Sequence, residues 1–211
     1  NWMINIELLL IILPIVLFSL TVHEFSHAYS ALLLGDSTAK SLGRLTLNPL
    51  KHLDLLGTLA IIFIGIGWAK PVPVVMRNLK NGRKSLYIVA FAGPLSNFII
   101  ASFFALIFNL LGFNPLEGGN QDIAKFFVIM IYLNVALGIF NLLPIPPLDG
   151  GNIIYSFLPD KIADKYDYYL RKYSIFLIIA LFFLIKSYSF ILLSPINLIV
   201  DLLIPNAIFF L

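Results

Sequence analysis

Between Ser85 and Phe113 the chain runs for 29 residues without one acidic, basic or histidine side chain. No soluble domain of this size hides such a stretch. It is long enough to cross the roughly 30 Å hydrocarbon core of a bilayer, which takes about 20 helical residues. It is also not alone: Ile6 to Leu34 and Ile123 to Leu143 are nearly as apolar, and Tyr173 to Leu193 with Pro195 to Leu211 form one or two further spans. With 60% hydrophobic and only 12% charged residues in a chain of 211, the bilayer has to serve as solvent for much of the surface. The expected fold is an all-α polytopic membrane protein of about six membrane helices or re-entrant segments.

The connecting segments carry the polar information. Residues 36–51 (DSTAKSLGRLTLNPLK) alternate partly between Ser41 and Leu47, which predicts a short β-hairpin. Leu53 to Ala69 is apolar but interrupted by Gly57, Gly65 and Gly67, so it reads equally as a short span or as a segment that enters the membrane and returns. In Lys70 to Lys84 five basic residues meet no acidic one, which places that loop on the cytoplasmic side. There Pro71 and Pro73 favour extended, edge-like backbone. Asp160 to Lys172 mixes charge with tyrosine and reads as an amphipathic segment at the same face. The net charge of +3 belongs to these loops and forms no aromatic-interleaved basic stripe, so nucleic acid is not an expected partner. The first apolar block is too long for a signal peptide and is expected to remain in the mature chain. The whole of 1–211 reads as one integral-membrane domain, with a core at about 6–156 and further membrane segments at about 173–211.

Cysteine is absent, which removes disulfides, thiolate nucleophiles and Cys-bound metal from consideration. Within the first apolar block, however, stands His23-Glu24-Phe25-Ser26-His27. On a helix His23 and His27 lie one turn apart on one face, within reach of a single ion, and Glu24 projects beside them. Imidazole pairs of this kind hold zinc, and the adjacent carboxylate suits a general base. Each of these side chains costs about 2 to 3 kcal/mol at bilayer depth unless paired or functional. The plainer reading is a polar cluster between helices, satisfied by its neighbours. A catalytic zinc needs a third protein ligand, for which His52, Asp54, Asp149 and Asp201 are available. Asp149 stands out in NLLPIPPLDGG (Asn141 to Gly151), where prolines end a span and two glycines allow close approach; capping of the following helix is the alternative role for it.

HEFSH, AGPLSN (Ala92 to Asn97) and NLLPIPPLDGG together resemble the site-2 protease family of intramembrane zinc metalloproteases. NPLKHLDLLGT (Asn48 to Thr58) and GWAKPVPV (Gly67 to Val74) are similar to the small prokaryotic members without PDZ or CBS domain. The resemblance implies one Zn2+ per chain held by His23, His27 and Asp149, Glu24 as the base, and Asn141 steadying the substrate carbonyl or oxyanion. It implies Gly93 and Asn97 as support for the core beside the site, and the PVPV segment as an edge that pairs with an unwound substrate. Lys70 reads as an interfacial lysine and His52 as structural. The implied partners are a transmembrane protein or peptide substrate and the lipid bilayer, and the implied location is the prokaryotic cell membrane, with several passes. A divalent-metal transporter and a catalytically inactive scaffold are the rival functions. Transport calls for ligands repeated along a path, and inactivity for loss of one of the motif residues.

Overall fold

The computed structural model describes residues 6–54, 57, 69–113, 121–174, 176, 177, 179, 180, 183 and 190–205. These residues are mostly helical. Helix α1 spans Ile6–Leu33 and contains Pro14; α2 is a single turn, Thr38–Ser41. Helices α3 (Leu86–Leu110) and α4 (Gln121–Asn141) follow, then the short α5 (Asp149–Phe157), α6 (Asp160–Lys172) and α7 (Phe190–Leu203). Among the described residues three helices are long and apolar enough to cross a membrane: Leu10–Leu33, Gly82–Leu110 and Gln121–Asn141. The predicted spans at the first block, Ser85 to Phe113 and Ile123 to Leu143 thus appear as helices. The stretch from Leu53 to Ala69 falls outside the described residues except for Leu53, Asp54, Gly57 and Ala69. So does much of 173–211, within which α7 continues through Pro195.

Helix α3 is the hub, packed against α1, α4 and α5. Its contact with α4 is made through Ala101 and Ala105 against Ala124, Val128, Ile131 and Val135, and α7 adds Ile196 and Val200 to the same cluster. Alanines let the two backbones approach, which is how helices gain packing where lipid supplies no hydrophobic drive. Along α1, Thr21 and Ser26 each return their hydroxyl proton to the carbonyl four residues earlier, Leu17 and Val22, so neither hydroxyl is left for the lipid to solvate.

The expected hairpin at 36–51 takes another form. Asp36, wholly buried, accepts the backbone N–H of Thr38 at 3.1 Å and so nucleates the helical turn α2. Gly43 follows at φ +66, a left-handed position, and Pro49–Lys51 winds into a 3₁₀ turn capped by Asn48, whose Oδ1 accepts from the Leu50 N–H. Local side-chain acceptors override a weak alternation of only seven residues. The described residues contain no strand; one antiparallel bridge joins Leu53 to Ala69. Lys70 to Val75 beyond it forms neither helix nor strand and reaches Val75 in an extended conformation, φ −104 and ψ 101, in keeping with the two prolines.

Candidate metal centre

Helix α1 presents His23 and His27 from adjacent turns toward α3, and α5 brings Asp149 to them at its first turn. Two features of the turn before α5 make this possible. The chain doubles back so tightly on the end of α4 that a Cβ on Gly150 would lie 2.2 Å from the Leu142 carbonyl oxygen, and one on Gly151 would lie 2.7 Å from the Pro146 nitrogen. A side chain at either position forces the turn that carries Asp149 to shift.

The three side chains form one compact cluster. The His23 and His27 Nε2 atoms are 3.0 Å apart, and the Asp149 carboxylate lies 3.1 Å from the first and 3.3 Å from the second. Ligand atoms about 2.0 to 2.1 Å from a tetrahedral zinc lie about 3.3 Å from one another, and the two Nε2 atoms stand near that separation, with Asp149 Oδ2 turned to His23 and Oδ1 to His27. The remote ring nitrogens agree with that reading. His23 Nδ1 is 2.6 Å from Asn97 Oδ1 and His27 Nδ1 is 2.7 Å from the Val89 carbonyl oxygen, both acceptors, so each Nδ1 carries its proton and each Nε2 turns a lone pair inward. Asp149 Oδ2 is buried and accepts no hydrogen bond. Two imidazole lone pairs and a carboxylate facing one another repel unless a cation lies between them, so the donor set fits Zn2+.

Space for the cluster comes from Gly93 on α3. A Cβ there would stand 2.4 Å from His27 Nε2 and 2.5 Å from His23 Nε2. Gly93 is therefore part of the site as an absence of side chain, and Asn97 one turn later is the acceptor for His23.

Glu24, buried and next to His23 in the sequence, accepts the Val72 N–H at 2.8 Å on its Oε2. This bond belongs to a three-point suspension of the extended segment. Arg44 donates to the Lys70 carbonyl at 2.7 Å, Val72 donates to Glu24, and Val75 donates to Asp36 at 2.6 Å. Along an extended chain, backbone groups alternate in direction. Arg44 also reaches the Pro71 carbonyl at 3.4 Å, while the Val72 N–H faces Glu24 and the Val75 N–H faces Asp36.

Among the remaining expected residues, Asn141 closes α4, and its amide donates to the Leu137 carbonyl of its own helix at 3.0 Å. His52 is buried, with Nε2 against the Thr46 carbonyl at 2.8 Å, and Lys70 N–H donates to the His52 carbonyl; both serve the loop framework. Asp54 accepts the Gly57 N–H. Sequence reasoning passed over Arg44, Asp36, Ser19 and Asn134. The last, a carboxamide in the middle of IYLNVAL, carried a usable signal, since an amide at membrane depth is expensive without a partner.

A model of Peptidase family M50 matches residues 117–184, a stretch that includes Asp149 but not HEFSH. "Putative zinc metalloprotease YwhC" of Bacillus subtilis (strain 168) is 41% identical over 150 residues, which cover 70% of this chain and 68% of that protein. "Putative zinc metalloprotease Rip2" of Mycolicibacterium smegmatis (strain ATCC 700084 / mc(2)155) is 39% identical over 90 residues, covering 40% of this chain and 34% of the relative. No solved structure matches. With two thirds of a relative covered at this identity, and a centre of two buried histidines and one half-buried aspartate among apolar helices, the chain belongs to peptidase family M50, the site-2 protease family of zinc metalloproteases.

Proposed function

We propose that this metalloprotease hydrolyses peptide bonds within or near the transmembrane segments of membrane-protein substrates. The observation that carries the proposal is the convergence of His23, His27 and Asp149 on one point inside an apolar helix bundle, with the Glu24 carboxylate beside it. In this reading those three residues hold one Zn2+ per chain. When bound, zinc supplies Lewis acidity to a carbonyl oxygen and lowers the pKa of water toward about 7.

The protein groups do the rest. Glu24 takes the proton of the attacking water and returns it to the leaving amine. The Val72 N–H, which Oε2 accepts at 2.8 Å, steadies the carboxylate for that task. Asn141 offers the second hydrogen of its amide to the substrate carbonyl as negative charge develops there. A transmembrane substrate presents its peptide bonds locked in helical hydrogen bonds, so they must be uncovered before attack. The PVPV segment supplies an extended partner for the uncovered stretch.

The chain works in this proposal as one multi-pass domain of about six membrane helices or re-entrant segments in a prokaryotic cell membrane, with the 70–84 loop on the cytoplasmic side. Glu24→Gln tests the chemistry. Zinc content should be unchanged while cleavage of a model transmembrane substrate falls by about 10² to 10⁴-fold. Cleavage at the parent rate would remove Glu24 from the role of base.

A further inference from the structure

Three polar side chains lead inward from His23, and all three are fully buried: Asn97 on α3, Asn134 on α4 and Ser19 on α1. Asn97 Oδ1 accepts from His23 Nδ1 at 2.6 Å, and Asn97 Nδ2 donates to Asn134 Oδ1 at 3.0 Å. Asn134 Nδ2 in turn donates to Ser19 Oγ and to the Met130 carbonyl, both at 2.9 Å. The chain of bonds ends on a backbone group.

That ending gives the chain a direction. A primary amide has a donor end and an acceptor end, and turning it over exchanges them. Were Asn97 turned over, its NH2 would face His23 Nδ1, which would then have to accept. The His23 proton would sit on Nε2, between His27 and Asp149, where a lone pair is needed for a metal. Asn97 does not fix its own orientation, because a neighbouring amide can turn with it. A main-chain carbonyl accepts and never donates. Met130 therefore holds the NH2 of Asn134, the Asn134 oxygen must face Asn97, and the Asn97 oxygen must face His23.

The geometry points to Asn134 as a positioning residue which, acting through Asn97, holds His23 in the tautomer whose Nε2 lone pair faces the metal cluster. This rests on His23 being a zinc ligand. The alternative role for the same bonds is to glue α1, α3 and α4 together; that predicts lower stability with no specific coupling between Asn134 and Asn97 in zinc binding.

The test is zinc affinity, measured by chelator competition on the purified full chain, with thermal stability recorded alongside. Asn97→Leu should weaken zinc binding by about 10 to 100-fold, and Asn134→Leu by about 10-fold. The double variant should bind no more weakly than Asn97→Leu alone. Asn134→Asp, which keeps an oxygen for Asn97 Nδ2, should bind near the parent value. Parent affinity in Asn134→Leu, additive losses in the double variant, or a loss in Asn134→Asp as large as in Asn134→Leu would each overturn the proposal. If Asn134→Leu yields no folded chain, Asn134→Ala takes its place with the same expectations. His23→Ala separates the two readings: retention of zinc at parent affinity there would show that the metal centre itself is misassigned, whatever Asn134 does.

Discussion

At the scale of single residues, the centre depends on what is missing as much as on what is present. Gly93→Ala places a methyl group 2.4 Å from His27 Nε2 with a helix backbone behind it. The imidazoles must turn aside, so zinc stoichiometry should fall well below one per chain, at an overpacking cost of about 1 to 3 kcal/mol in thermal unfolding. Gly150→Ala should lower zinc binding by a different route, since its methyl meets the Leu142 and Leu143 carbonyls and shifts Asp149 without touching the histidines. Zinc analysis of the two purified variants checks both. HEFSH was legible because its geometry is local: four residues on a helix are one turn wherever the helix lies. Asp149 was legible only as a candidate, since nothing local ties residue 149 to residue 23. The hydrogen bonds of Asn134 were not legible at all, because they depend on which faces of α1, α3 and α4 meet.

At the scale of elements, the segment from Lys70 to Val75 behaves as a strap hung from Arg44, Glu24 and Asp36. Val72→Pro keeps the extended backbone, which the neighbouring prolines already impose, but removes the one N–H that Glu24 accepts. Peptidase activity should drop at least tenfold with zinc content unchanged. Asp36 makes the strap sensitive to acid. Burial alone would push its carboxyl up, but the hydrogen bonds from Thr38, Val75 and Asn78 outweigh burial and hold it below the ordinary 3.8. A group with a depressed pKa contributes stability that is present above 3.8 and is lost as pH falls below it. The unfolding temperature of the parent should therefore fall more steeply than that of Asp36→Asn as pH drops from about 5 toward 3. The extended strap was legible from its prolines. The turn α2 was mistaken for half of a hairpin because Ser41 to Leu47 alternates, and alternation of that length yields to one buried aspartate that accepts the Thr38 N–H.

At the scale of the whole molecule, three apolar helices enclose a centre that no lipid can solvate. Ser19, His23 and His27 of α1 find their partners on α3, α4 and α5, so the bundle and the site stabilise each other. Removing zinc should consequently lower the unfolding temperature of the entire chain. At a free zinc concentration a thousand times the dissociation constant the difference is about 4 kcal/mol. The existence of the long helices was legible from hydropathy alone. Their arrangement around α3 was not, since an apolar helix shows no preferred face in sequence when lipid and protein interior are alike. The central claim is that His23, His27 and Asp149 together form one zinc site, and X-ray absorption at the zinc edge tests it most directly. The spectrum of the zinc-loaded chain should show only nitrogen and oxygen ligands at about 2.0 to 2.1 Å, with the outer-shell signature of two imidazoles. Asp149→Ala should lose one light-atom ligand and bind zinc far more weakly. A spectrum with one imidazole or none, or one unchanged in Asp149→Ala, would contradict the account.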